Sequence, residues 1–347
     1  MTAGAQTRPG PAAGLLACVA VAAASRLIGG ALQLGLETAL ALALGLLVAA
    51  VPAVRARLLP GASLAARYAL RVGIALLGAR LTLDQLVATG IGSVAAIAVI
   101  VVAALLLGTW IARGLAIEPP LSALIIVGMA ICGNSAILAL SPIIGAQHRD
   151  TAYGVSTITI FGLIGVVSLP LLGRLLGLSD PAFGTWAGLA VNDTAQVVAT
   201  GYAFSPPAGD VATVVKLTRN LAILPVLLVA TWLVARSERS SDPRPVGERG
   251  RMALIGRAVP WFVVGFVVFA ALRSAGLLDA PLPTGITLAD LCSTLAGLLI
   301  LVALAGVGLA TDIRSMLGVG PRPFLLGASM WVAIGLLGLG AARVYHG

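Results

Sequence analysis

Long apolar runs alternate with short polar interruptions from residue 11 to residue 344. A helix needs roughly 20 residues to cross about 30 Å of hydrocarbon. On that measure the pattern predicts about eleven spans: 11–30, 34–54, 62–80, 90–113, 119–145, 151–173, 182–204, 212–236, 258–277, 286–311 and 322–344. The expected fold class is all-α, a polytopic membrane protein. The first run, "GLLACVAVAAAS" after Arg8, also resembles a secretory signal with an Ala-x-Ala site. The apolar stretch continues past Arg26 with no polar mature start, so a retained helix is expected.

Setting the first helix (1–33) apart as peripheral leaves ten spans, five in 34–173 and five in 182–347. An odd number per half means that the halves enter the membrane from opposite sides, the inverted-repeat plan of many secondary transporters. This repeat rests on span counting, because the halves share no clear residue-level similarity. "AICGNSAI" (130–137) then lies in the fourth span of the first half. Its counterpart is 286–311, containing "LAGVGLATD". Both carry glycine where a helix break is expected.

Charge adds orientation. The stretch 237–257 is rich in Ser, Pro, Arg and Glu and reads as a solvated loop. Arg236, Arg239, Arg244, Arg249, Arg251 and Arg257 in and around it make it cytoplasmic by the positive-inside rule. That anchor places the N-terminus inside and the C-terminus outside. Arg8, Arg55, Arg57, Arg113, Arg174, Arg314 and Arg322 fall inside; Arg26, Arg80, Arg149, Arg273 and Arg343 fall outside.

Composition agrees with a membrane protein and excludes other classes. The chain is 59% hydrophobic and 10% charged, against about 25% charged in soluble domains. Mean hydropathy is +1.05. The net charge of +9 comes with only 5% aromatic residues and no basic stripe in a soluble domain, so nucleic acid is not an expected partner. Cys18, Cys132 and Cys292 lie in separate apolar runs, and His148 and His346 lie outside them. No metal site is expected.

Three stretches place polar chemistry at membrane depth. In "AICGNSAI", Gly133 weakens the helix, and Asn134 and Ser135 can hydrogen-bond freed backbone or a ligand. One reading is a broken helix that binds a solute or ion, with its half-helix N-terminus favouring an anion. The other is a continuous helix using small residues and Asn134 for close packing. In "AGLAVNDTAQVVATG" (187–201), Asp193 is the carboxylate nearest the middle of a span. Such acids are costly in lipid and commonly functional. Asn192, Thr194 and Gln196 surround it, and Asp193 and Gln196 share a helix face at i, i+3. The alternative is a structural pair with a buried arginine. In "VVKLTRN" (214–220), Lys216 and Arg219 share a face at the expected outer end of a span. They attract an anion or pair with Asp193, or they snorkel to the interface.

These stretches, in this order, resemble a family of membrane proteins described as sulfate exporters. "ICGNSAI" (131–137), "AGLAVNDTAQVVATG" (187–201) and "VVKLTRN" (214–220) carry the likeness, with weaker support from "VPWFVVGF" (259–266) and "GVGLATDI" (306–313). The resemblance implies a fold similar to bile-acid symporters and sodium/proton antiporters. Two discontinuous helices would cross at the midplane beside the substrate, with Cys132–Ala136 at one unwound point. The family's second motif has histidine before the acid where this chain has Asn192, so that position cannot carry a proton here.

The expected function is secondary active transport of a small anion, sulfate or an organic sulfonate, by alternating access. Asp193 is the ion-coupling residue, for H⁺ or Na⁺. The expected binding residues are Cys132, Gly133, Asn134, Ser135, Asn192, Thr194, Gln196, Lys216 and Arg219. No other cofactor is expected. The expected setting is the cytoplasmic (inner) membrane of a bacterial-type cell. The partners are the lipid bilayer and a small anionic solute, with homodimer formation left open. A cation/proton antiporter built on the same Asp193 is the alternative. An intramembrane enzyme is not expected: no Asp-rich motif, buried histidine or paired-acid constellation is present, and Ser135 with Lys216 is the one dyad that can be drawn. No GxxxxGK motif points to ATP drive.

Overall fold

The computed structural model describes residues 10–32, 37–238, 261–281, 285–311 and 320–346. Its helices, in chain order, are α1 (Pro11–Leu32), α2 (Glu37–Ala49), α3 (Pro52–Arg80), α4 (Leu83–Gly114), α5 (Pro119–Ala130), α6 (Asn134–Leu140) and α7 (His148–Leu175). There follow α8 (Asp180–Ala190), α9 (Thr194–Phe204), α10 (Pro206–Asn220), α11 (Ile223–Glu238), α12 (Trp261–Ser274), α13 (Leu288–Ala310) and α14 (Pro321–His346). Among the described residues, seven apolar helical stretches are long enough to cross a membrane: α1, α3, α4, α7, α10–α11, α13 and α14. The shorter α2, α5 and α12 are apolar too. The protein is an all-helical polytopic membrane protein, as the hydropathy pattern predicts. The central loop 237–257 falls almost wholly outside the described residues.

The chain forms two compact units, and each draws on both halves of the sequence. Unit 1 comprises 1–82 and 265–313. In it α13 packs on α2 and α3 through glycines. A methyl group at Gly308 would lie 2.4 Å from Leu42 O, and one at Gly306 2.7 Å from Ala62 O. Backbones this close are a common device where helices pack without help from water. α13 is one uninterrupted helix from Leu288 to Ala310. The break anticipated in 286–311 is therefore absent from its described part, and residues 312–319 lie outside the described residues. A regular helix can carry Gly297, Gly306 and Gly308 because each serves packing or costs only propensity.

Unit 2 comprises 83–264 and 314–347 and holds every predicted site residue. Its two broken segments turn back on themselves. In α8–α9, Ser205 Oγ donates to Asp180 Oδ1 at 2.6 Å, so the two ends of the segment meet. α10 lies beside both arms. Gly184 faces Ala208 and Val211, Gly188 faces Ala212 and Val215, and Gly201 faces Gly209 and Ala212. The facing residue numbers rise together along α8 and α10, so those two helices run parallel, while α9 runs the other way. In α5–α6, Gly154 of α7 touches both Leu124 and Ile137, and Gly128 packs on Ile137. A straight run would hold residues 124 and 137 roughly 20 Å apart. Both segments are thus helical hairpins, here hairpin A (α5–α6) and hairpin B (α8–α9), in place of helices that cross straight through.

α7 orders the two hairpins. Gly154 and Ile158 meet hairpin A, Thr159 and Gly165 meet the tip of hairpin B, and Gly173 meets Phe183 and Phe204 near its base. Hairpin A is therefore rooted at the His148 end of α7 and hairpin B at the Leu175 end, and their tips meet midway. Hairpin B and α10 are zipped by small residues. A methyl group at Gly188 would sit 2.8 Å from Val215 Cβ and 2.9 Å from Ala212 O. Gly188→Val is expected to lower the melting midpoint of the purified protein by several degrees, and an unchanged midpoint would contradict this packing.

Candidate functional site

Two turns of non-helical backbone form the site: tip A at Ile131–Gly133 and tip B at Val191–Asp193. Gly133 has φ +65° and ψ −125°, a region that residues with a Cβ avoid. The tips touch: a methyl group on Gly133 would lie 3.4 Å from Asn192 C and Asp193 Cα. Asn134 Nδ2 donates to Asp193 Oδ2 at 3.4 Å, and Asn192 Nδ2 lies 2.9 Å from Met129 Sδ.

Each tip follows the C-terminal end of a half-helix, where main-chain carbonyls lack helical partners and the dipole is negative. Lys216 and Arg219 fill that need. Lys216 Nζ donates to Ile131 O at 2.9 Å and Val191 O at 3.1 Å. Arg219 donates to Met129 O, Ala130 O and Leu189 O at 2.7, 3.1 and 2.5 Å. Weaker contacts at 3.5 Å reach Val191 O and Asn192 Oδ1. Both cations are completely buried.

This corrects the expected position of the pair. Lys216 is not at the outer end of a span but roughly 15 Å along the 28-residue stretch Pro206–Leu233. The start of that stretch is marked in the sequence by Ser205, which caps the helix, and by two prolines at its first turn. Neither cation snorkels, and among the described residues neither forms an ion pair with Asp193. Their close partners are backbone carbonyls, which every residue carries.

Asp193 is the N-cap of α9 and accepts from Ala195 N at 2.9 Å. It therefore lies outside the helix, and the expected shared face with Gln196 does not form. Gln196 is buried against α7 and donates from Nε2 to Thr159 O at 3.2 Å. Asn192 and Cys132 are buried at the tips. Asn134, Asp193 and Thr194 are partly exposed and Ser135 is exposed. The structure thus joins the three predicted stretches and divides them. Asn134, Ser135, Asp193 and Thr194 form an accessible polar face, while Lys216, Arg219, Asn192 and Gln196 lie behind it. Asn220 was not anticipated; its Nδ2 reaches Thr194 Oγ1 at 3.5 Å. Asn134 Oδ1, Gln196 Oε1 and Asn220 Oδ1 are buried with no hydrogen-bond partner among the described residues. Orphaned acceptors of this kind are uncommon in finished interiors.

Comparison with known proteins places the chain. The family model described as "Conserved hypothetical protein 698" matches residues 13–327. The UPF0324 membrane protein of Streptococcus pyogenes serotype M6 is 34% identical over 330 residues, 94% of this chain and 95% of the relative. The chain belongs to this family, the UPF0324 membrane proteins. A UPF0324 membrane protein of Agrobacterium fabrum is 33% identical over 334 residues, 94% of this chain and 91% of its own. One from Clostridium tetani is 33% identical over 273 residues, 77% of each chain. No solved structure matches this UPF0324 protein. The family match agrees with the resemblance carried by the three polar stretches, all of which lie within the matched residues.

Proposed function

We propose that this UPF0324 protein is a secondary active transporter of a small anion, sulfate or an organic sulfonate, coupled to H⁺ or Na⁺ through Asp193 and working by alternating access. The observation that carries this reading is the meeting of two hairpin tips rooted at opposite ends of α7, with Asn134, Ser135, Asp193 and Thr194 accessible there. Non-helical backbone at such depth is tolerated where protein or a water-filled cavity surrounds it. With Lys216 and Arg219 positive and Asp193 negative, the cluster carries surplus positive charge, which an anion neutralises. Protonation of Asp193, or a cation bound to it, removes the one negative charge that opposes the anion. That is a direct electrostatic route to coupling the two.

The chain is a transporter and not an enzyme on this reading. The amine of Lys216, the one base that could serve Ser135, is committed to two carbonyls. No cofactor beyond the coupling ion is invoked. Because two segments fold back rather than cross, the number of crossings stays odd. The N-terminus inside and C-terminus outside are retained in the cytoplasmic membrane, with Arg149 now on the inner side and Arg174 on the outer.

The test is flux in proteoliposomes. Labelled sulfate, sulfite and sulfonates are offered under imposed proton and sodium gradients, and gradient-driven accumulation of at least one is expected. Flux equal to that of empty vesicles for every anion would refute the reading. Asn134→Leu is expected to lose most solute binding while keeping its melting midpoint, because Asn134 is partly exposed. A large drop in midpoint with intact affinity would make Asn134 a packing residue. A cation/proton antiporter is the second reading, favoured by one observation: Asp193 is the accessible charge at the tips, and both cations are sealed. Proton release on adding a cation, with no dependence on anion, would select it.

A further inference from the structure

We propose that the groove between α4 and α10–α11 is the seat of one anionic phospholipid, with an acyl chain between the two helices and the phosphate at Arg113. The groove encloses about 520 Å³, and its walls include Ala98, Val102 and Leu105 of α4 and Ala222, Pro225 and Val229 of α10–α11. Both walls belong to stretches long and apolar enough to cross a membrane. Val102 and Val229 are each 55% exposed, and at that depth the medium that reaches them is hydrocarbon. Among the described residues the one polar side chain on the walls is Thr218, whose hydroxyl donates to Val214 O at 2.9 Å. No charge and no free donor faces the groove, so its occupant is an apolar chain. From Val94 to Leu105 the groove runs roughly 16 Å along α4. That is close to the hydrocarbon depth of one leaflet, half of about 30 Å.

Charge selects which lipid. Ala98, Val102, Leu105, Thr109 and Arg113 follow one another at spacings of three and four, so they form one stripe along α4. Thr109 donates to Leu105 O at 2.6 Å, which leaves no free donor there. Arg113 is exposed two turns past Leu105, roughly 12 Å further on. It borders a recess beside Trp110, which is 73% exposed. Tryptophan and arginine at the end of a span sit at headgroup level. The stripe thus passes from an apolar groove to a cation where a phosphate lies. A zwitterionic lipid brings its own amine to that phosphate, and an anionic one leaves the charge for Arg113. On the orientation proposed above this end of α4 faces the cytoplasm, whose leaflet carries the anionic lipids.

The groove also bears on the site. Thr218 stands between Lys216 and Arg219 in the chain, yet it faces the groove while they face the tips. α10 ends at Asn220 and α11 starts at Ile223, and Leu221 and Ala222 between them line the groove. Pro225 has no N–H to give Leu221 O, which weakens the helix there. A chain in the groove packs across this junction and braces the turn that carries both cations.

The purified full chain is washed in detergent, and its bound lipid is counted by native mass spectrometry. One anionic phospholipid per chain is expected to survive washing that strips the rest. Added back to the stripped protein, phosphatidylglycerol is expected to raise the melting midpoint by several degrees, more than phosphatidylcholine with the same chains. Glycerol 3-phosphate, the headgroup charge without the chains, is expected to do nothing. Ala98→Phe puts a ring in the groove at an exposed position. It is expected to cut phosphatidylglycerol retention roughly tenfold or more, the loss of a few buried methylenes, while its lipid-free midpoint stays at or above the parent's. Arg113→Gln is expected to cut retention roughly fivefold and to erase the preference over phosphatidylcholine, and Arg113→Lys to restore both. Equal retention of the two lipids by the parent, or parent-like retention by Ala98→Phe, would overturn the proposal. So would a lipid-free parent whose groove is covered by a second copy, read by cross-linking between cysteines placed at Val102 and Val229. None of these readings needs a solute or a gradient, so failure here and failure of the flux test are separate results.

Discussion

Asp193→Asn is expected to abolish gradient-driven flux in proteoliposomes while the protein folds and melts close to the parent. Asparagine caps a helix about as well as aspartate does, so the bond to Ala195 N survives and α9 keeps its start. The contact with Asn134 is long, at 3.4 Å, and contributes little to hold the fold. What the amide cannot do is gain or lose a proton or hold a cation by charge. Coupled accumulation should therefore fall to the level of empty vesicles. Passive exchange of the anion across equal concentrations should persist, because the positive potential of Lys216 and Arg219 remains. Parent-like accumulation in this variant would remove Asp193 from the coupling step.

Arg219→Met acts on the other side of the site and is expected to be a folding defect. The substitution strips hydrogen bonds from Met129 O, Ala130 O and Leu189 O, all on fully buried residues. Each unpaired buried carbonyl costs about 1–3 kcal/mol, so a loss on the order of 5 kcal/mol is expected. That corresponds to a drop of roughly 10 °C or more in melting midpoint, or to failure to accumulate in the membrane. Lysine should not restore it, because one compact ammonium cannot reach three carbonyls that the planar guanidinium reaches with three nitrogens. A methionine variant melting within a degree or two of the parent would mean that these carbonyls find other partners.

The hydropathy pattern fixes where the helices are and says less about how they run. Each predicted span coincides with a helix or pair of helices, because length and apolarity alone set those positions. The runs 119–145 and 182–204 are as long and apolar as a span, so passing through and turning back look alike in sequence. The turn at Gly133 rests on one positive φ, and that at Val191–Asp193 on ordinary dihedrals. One signal was present: Phe204 ends α9 and Ser205–Pro206 starts α10 with no room for a loop. The three polar stretches were legible as a site because polar atoms are scarce at that depth. The duties of Lys216 and Arg219 were not, since a search for charged partners overlooks carbonyls that belong to no residue type.

The rooting of the two hairpins at opposite ends of one 28-residue helix bears on how the bilayer tolerates them. Each irregular tip is entered and left from one end of α7 only, so the bases of the two hairpins are reached from opposite ends of that helix. A blocker that binds at the base of one hairpin would leave the base of the other untouched, and the two faces of the membrane should differ in their pharmacology.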